Sequence, residues 1–409
     1  MAKAPRGFRE GKFQYHEEVE LQVDNLTNLG QGVGRIEGWV VMVNFALPSE
    51  RVRARIFRNH ANFSDADLLE VLDASPERIE PRCELFGTCG GCQYQNLNYA
   101  AQLKYKTQQV QELVDRQLEG NHQVLPAVGS PQPYGYRSKL TPHFHKPRAG
   151  RDFRIGFLEA GRRRRLVDVE RCPIATEAIN EALPKVRQGV IENFKNYKNG
   201  ATVLLRDVEE GVITDYQAIV TEVVEDVVFR FKASEFFQNN PFILPRLAEH
   251  VLTESQADGI RYFLDTYCGS GLFALYAGRY FEKAIGIEIS ERSVEYANSN
   301  AQLNGLENCH FQVGDSASLF EHVDFPKEET VVIVDPPRKG CSLEFLDQLF
   351  AYGPARVVYV SCNPGTQMRD LSRFLSTGYT IKKLQPFDLF PQTRHIENVA
   401  TLERSRNEM

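Results

Sequence analysis

The spacing of apolar and polar residues changes character along the chain. From about Phe13 to Val71 it has a period of two. Val19-Glu20-Leu21-Gln22-Val23 alternates, as a strand with one buried face does. Val52-Arg53-Ala54-Arg55-Ile56 alternates again, with both arginines on one face. Trp39-Val40-Val41-Met42-Val43 is a further strand, and Leu29-Gly30-Gln31-Gly32-Val33-Gly34-Arg35 reads as a glycine-rich turn. Short strands and glycine turns predict a small OB-like β-barrel over 10–73. A helix is expected from about Tyr99 to Leu118, within a central α+β domain over 74–230 that is rich in strands.

From Phe231 onward strands and helices alternate. Phe263-Leu264-Asp265, Ala284–Glu288, Val331–Val334 and Val357–Val360 are apolar, β-branched runs of strand length. Between the second and third lies a helix, Glu291–Leu303, on which Val294, Ala297 and Ala301 share a face. Gly305 stands where a C′ cap belongs. This order predicts an α/β, Rossmann-like domain over 231–409, built on a doubly wound parallel sheet.

Composition narrows the class. With 409 residues, two or three domains are expected, and 42% hydrophobic with 25% charged residues suits a soluble globular protein. No apolar stretch is long enough to span a bilayer, and the first residues lack the apolar core of a signal peptide, so a cytoplasmic protein is expected. The net charge of −6 excludes a uniformly basic coat for nucleic acid but leaves local patches open. Two are visible. One is the arginine face of Val52–Ile56, which either contacts RNA or guards a solvated edge strand. The other is Gly161-Arg162-Arg163-Arg164-Arg165, near Lys146, Arg148, Arg151 and Arg154, which is either a solvated loop or a phosphate contact.

Chemistry concentrates at strand ends. Asp265-Thr266-Tyr267-Cys268-Gly269-Ser270-Gly271 follows the first strand of the sheet, Glu288 ends the second, and Gly314-Asp315 follows the third. Glycines let a ligand approach a helix N-terminus, and a carboxylate at the second strand's end can hold ribose hydroxyls. The loop lacks a third glycine for a pyrophosphate, which favours S-adenosylmethionine over NAD. Asp335-Pro336-Pro337-Arg338-Lys339-Gly340 holds a carboxylate on a stiff backbone, and the arginine after the prolines disfavours methylation of an exocyclic amine. In Phe236-Phe237-Gln238-Asn239-Asn240, Gln238 could read a base or cofactor edge, and at least one phenylalanine belongs to the core. Cys362, after Arg356-Val357-Val358-Tyr359-Val360-Ser361 and before Pro364, is either a nucleophile or a buried structural thiol. Glu397, in His395-Ile396-Glu397-Asn398, could serve it as base or be a surface charge. Eight cysteines in such a chain point to metal or catalysis rather than disulfides. Cys83, Cys89 and Cys92 form C-x5-C-x2-C, and Cys172, before Pro173, is the plausible fourth ligand. A 4Fe–4S cluster fits this spacing better than zinc does.

Taken together these motifs resemble the RNA uracil-5-methyltransferase family, in the form with a TRAM domain and an iron–sulfur cluster. The resemblance runs from about Phe13 to Glu403 and rests on five motifs in order: C-x5-C-G-G-C with a distant Cys-Pro, Phe-Phe-Gln-x-Asn, Asp-Pro-Pro-Arg-x-Gly, Ser-Cys-Asn-Pro and His-x-Glu-Asn. It implies that Cys362 is the nucleophile and Glu397 the base. Gln238, Tyr267, Glu288, Asp315 and Asp335 would line the S-adenosylmethionine and uracil pocket. It further implies a monomer that methylates a uridine of structured RNA, 23S ribosomal RNA before transfer RNA, away from any membrane. A cluster-bearing RNA-binding assembly factor without activity is the alternative.

Overall fold

The computed structural model describes residues 4–5, 7–146, 153–162, 164–314, 320 and 323–405. Arg148, Arg151, Arg163 and Asp315, singled out above, lie outside the described residues. The chain forms two compact units. One is drawn from residues up to Gln109 with Phe157–Val167 and Pro391–Arg394, the other from Val110–Gly156, Asp168–Phe390 and the residues from His395 on. Among the described residues no helix is long and apolar enough to cross a membrane.

In the first unit, β1 (Glu18–Leu26), β2 (Gln31–Ile36), β3 (Trp39–Asn44), β4 (Arg51–Asn59) and β5 (Phe63–Asp73) close into a barrel in the order β1-β2-β3-β5-β4. Its core is the inward set of the alternating runs: Leu21, Val23, Val41, Val43, Val52, Ala54 and Ile56. The expected glycine turn is largely strand. Only Gly30, at φ +79°, turns the chain, whereas Gly32 and Gly34 lie in β2. A Cβ at Gly32 would stand 2.7 Å from the Ala46 carbonyl, and one at Gly34 would collide with the carbonyl of Gln22, so these glycines allow close approach of backbone.

The arginine face of β4 is neutralised across the barrel. Arg51 pairs with Asp73 and Glu20, Arg53 with Glu70 and Glu18, and Arg55 with Asp67. Beyond the barrel, helix α1 (Tyr99–Gln117) contributes Ala101 and Tyr105 to a cluster with Leu26, Leu47, Tyr94 and Leu97.

The second unit is built on a seven-stranded sheet made of β6 (Tyr262–Asp265), β7 (Lys283–Glu288), β8 (Cys309–Val313), β9 (Thr330–Val334), β10 (Arg356–Ser361), β11 (Tyr379–Phe387) and β12 (Glu397–Arg404). Their spatial order is β8-β7-β6-β9-β10-β12-β11. The first five are parallel, and β12 runs antiparallel to both β10 and β11. The parallel sheet expected from the sequence therefore carries an antiparallel margin that the sequence reading missed. Helices α2 (Leu244–Ser255), α3 (Leu272–Ala277), α4 (Glu291–Leu303), α5 (Leu343–Tyr352) and α6 (Pro364–Ser376) accompany it. Val331, Ile333, Val358 and Val360 enter the core on one face, and Val332, Val334, Val357 and Tyr359 that on the other. Burial on both faces is why these strands read as unbroken apolar runs. Helix α4 has the bounds expected, with Ser290 as its N-cap and Val294, Ala297 and Ala301 buried.

Candidate active site

Strand order reverses between β6 and β9. The chain leaves β6 toward β7 and leaves β9 toward β10, so the loops after the two strands diverge and open a crevice at their carboxyl ends. A cavity of about 710 Å³ opens there. Gln238, Tyr267, Glu288, Asp335, Cys362 and Glu397 all line it, together with Gly314. The structure thus gathers into one cavity every site residue expected of the catalytic half except Asp315, which lies outside the described residues.

The loop after β6 is shaped by its glycines. Gly269 and Gly271 adopt φ of +52° and +92°, and Gly271 caps the start of α3. The amide of Gly269 donates to one oxygen of Glu288 at 3.2 Å, and the amide of Ser290 donates to the other at 3.0 Å. The Glu288 carboxylate is thereby fixed at the cavity wall. Beneath the loop, burial first and neighbouring Asp335 second push the carboxyl of Asp265 up to about 8.

Cys362 follows the last residue of β10, and Glu397 is the first of β12. Ser361 faces Asn398 in the antiparallel register, so the thiol and the carboxyl stand at neighbouring strand ends. Gln367, fully buried on α6, locks this arrangement. Its amide donates to the carbonyls of Tyr359 at 2.9 Å and Asn398 at 3.1 Å, and it accepts from the Asn398 side chain at 2.7 Å. Nothing in the sequence marked Gln367, which shares the buried side of this helix with Asp370 as well as with Met368, Leu371 and Phe374. The carbonyl of Arg338 accepts from the Asn363 amide at 2.9 Å and the Thr366 hydroxyl at 3.3 Å, which ties the Asp-Pro-Pro-Arg loop to the same helix.

Burial dominates the electrostatics of the cavity. Glu397 is 3% exposed, and its carboxyl is held well above the usual range by burial and by Asp335, with Arg338 opposing. Burial pushes Asp335 up to about 7. The Cys362 thiol rises to about 11 through burial, then Glu397 and Asp335, again with Arg338 opposing. With no ligand bound, burial thus opposes ionisation of both the Cys362 thiol and the Glu397 carboxyl.

The chain matches the family model of tRNA (uracil-5-)-methyltransferases over residues 203–405 and that of the TRAM domain over residues 13–69. It is 41% identical to a tRNA (uracil(54)-C(5))-methyltransferase of Schizosaccharomyces pombe, over 96% of this chain and 79% of that protein. The chain belongs to the RNA uracil-5-methyltransferase family. The corresponding Saccharomyces cerevisiae enzyme is 35% identical, over 96% of this chain and 74% of that protein. The fold is that of the Pyrococcus abyssi tRNA (uracil-54, C5)-methyltransferase solved with S-adenosyl-L-homocysteine, with a TM-score of 0.72 and 22% identity over 94% of this chain and all of that one. The protein is accordingly an S-adenosylmethionine-dependent RNA uracil-5-methyltransferase with an N-terminal TRAM barrel.

In this methyltransferase the two phenylalanines before Gln238 part company. Phe237 is 5% exposed, stacked on Phe231 with centroids 4.8 Å apart, and belongs to the core. Phe236 is 72% exposed and lines the cavity. Asn240, fully buried, ties this loop down by donating to the Leu389 carbonyl at 2.9 Å and the Ser130 hydroxyl at 3.2 Å. The cysteines expected to hold a cluster, Cys83, Cys89, Cys92 and Cys172, are in no disulfide and are half-buried. The Cys89 thiol is raised by burial and by Cys83 beside it. Among the described residues no group of three or more His, Cys, Asp or Glu side chains is gathered as a metal site would require.

Proposed function

We propose that the enzyme methylates carbon 5 of a uridine in transfer RNA through a covalent adduct between Cys362 and the uracil. The observation that carries this reading is the meeting of Cys362 and Glu397 in one cavity at the strand-order reversal. Carbon 5 of uracil is a poor nucleophile. The Cys362 thiol gives up its proton to solvent, and attack of the resulting thiolate on carbon 6 turns the ring into an enolate whose carbon 5 is nucleophilic. S-adenosylmethionine, when bound, supplies an electrophilic methyl group on a sulfonium. Glu397 then takes the proton from carbon 5, and the Cys362 sulfur leaves with its electron pair. For that step Glu397 must be ionised. A cation held in the cavity that Asp335, Cys362 and Glu397 line would favour the ionised carboxylates and oppose their effect on the thiol. Gln238, Tyr267, Glu288 and Asp335 line the pocket that would hold the cofactor and the uracil. A uridine in a duplex is out of reach, so it enters from a loop or flipped from its stack.

The preference for transfer RNA rests on the two fungal relatives, both tRNA (uracil(54)-C(5))-methyltransferases aligned over 96% of this chain. Ribosomal RNA, which the family resemblance implies, is the competing outcome. Labelled cofactor with separate tRNA and 23S rRNA, each carrying 5-tritiated uridine, should release tritium from tRNA. Release from 23S rRNA alone would overturn the choice of substrate. A 4Fe–4S cluster on Cys83, Cys89, Cys92 and Cys172 is supported by spacing alone. Iron and acid-labile sulfide after anaerobic purification are the expected finding, and a colourless, zinc-bearing protein would contradict it.

A further inference from the structure

Two arginine-rich segments stand out in the first unit, and their ion pairs separate them. On the barrel, Arg51, Arg53 and Arg55 face five carboxylates, Glu18, Glu20, Asp67, Glu70 and Asp73, which leaves that face with an acidic surplus of two. In the turn Glu159–Arg165 the balance is reversed. Arg162 and Arg165 share the single carboxylate of Glu159, at 3.2 Å and 2.8 Å, and exposed Arg164 has no ion pair among the described residues. Among the described residues of the turn, three guanidiniums against one carboxylate leave two positive charges.

The turn is also held from both sides. It closes on itself through the Glu159 amide to the Arg165 carbonyl at 2.9 Å and the Arg162 amide to the Glu159 carbonyl at 3.0 Å. Its stem is pinned to the cysteine loop. The Gly90 amide donates to the Leu158 carbonyl and the Ala160 amide to the Thr88 carbonyl, each at 2.9 Å, and Cys89 bridges Glu159 as in an antiparallel ladder. Gly90 permits this because a Cβ there would stand 3.0 Å from the Leu158 carbonyl. The guanidiniums are thus displayed on a short, braced turn, at low ordering cost and with forks matched to phosphate oxygens.

We propose that Arg162, Arg164 and Arg165, carried beside the cysteine loop, form a backbone-phosphate-binding element for the RNA substrate, and that the arginine ladder of the barrel does not. This rests on the enzyme acting on RNA and not on which RNA it is. The test is RNA affinity measured by fluorescence anisotropy across a salt series, on bulk cellular RNA as well as on a tRNA transcript. Arg164→Ala should lower the slope of log affinity against log salt by about one, as expected for one lost phosphate contact. Arg164→Lys should keep the slope, because a point charge suffices for a phosphate. Arg53→Ala should leave slope and affinity as in the wild type. An unchanged slope for Arg164→Ala, or an equal loss for Arg53→Ala, overturns the proposal. If only the choice of tRNA is wrong, the slopes on bulk RNA still differ.

Discussion

The Cys362 thiol sits where burial and two carboxyls oppose its ionisation. Burial, Glu397 and Asp335 raise it to about 11, while Arg338 and a backbone hydrogen bond pull the other way. In the ligand-free enzyme little of the thiol is therefore ionised at pH 7. Its alkylation by iodoacetamide, followed by mass spectrometry of the Cys362 peptide, should therefore climb about tenfold per pH unit from pH 7 to about pH 10. Glu397→Gln should move that profile to lower pH, and Arg338→Gln to higher pH. A plateau already reached near pH 8 would contradict the assignment. Cys362 could be read from the sequence because an apolar run ended on it and a proline followed. Gln367 and Asn240 could not, since a polar side chain in a single sequence gives no sign that it is buried. Phe236 and Phe237 were equally ambiguous, because adjacent identical residues differ only in which side of the loop they face.

At the level of elements, the site depends on two strand ends held together by one helix. Gln367 on α6 satisfies carbonyls from β10 and β12 at once. Gln367→Leu leaves those buried groups and the Asn398 amide without their partner, at a cost of about 1–3 kcal/mol. Urea denaturation should show that loss, and the yield of covalent adduct should fall with it. Wild-type stability in this variant would remove Gln367 from the account. The parallel strands were legible because each is buried on both faces and so apolar throughout. The antiparallel margin was not. β11 carries a register shift between Ile381 and Lys383 that breaks its alternation, and β12 buries Glu397, Asn398 and Thr401 among its apolar residues. The glycines of β2 misled for a similar reason, since they serve close packing of strands rather than a turn.

For the whole molecule, a net charge of −6 conceals how charge is distributed. The barrel arginines are spent on carboxylates, and the arginine turn keeps a surplus, a distinction that only the ion pairs reveal. The family, the barrel and the cofactor-binding sheet were legible because their motifs recur in a fixed order, whereas the RNA substrate leaves no such mark in one sequence. All these parts serve one chemical event, attack of the Cys362 sulfur on a uracil ring. The most direct measurement is denaturing gel electrophoresis of the full-length enzyme incubated with labelled substrate RNA and S-adenosylmethionine. Glu397→Gln should hold the methylated uracil on Cys362, because its carbon 5 proton is not removed, and give a slow-migrating protein–RNA band. Cys362→Ala should give no band and no turnover. Turnover by Cys362→Ala, or full activity of Glu397→Gln without a band, would contradict the account.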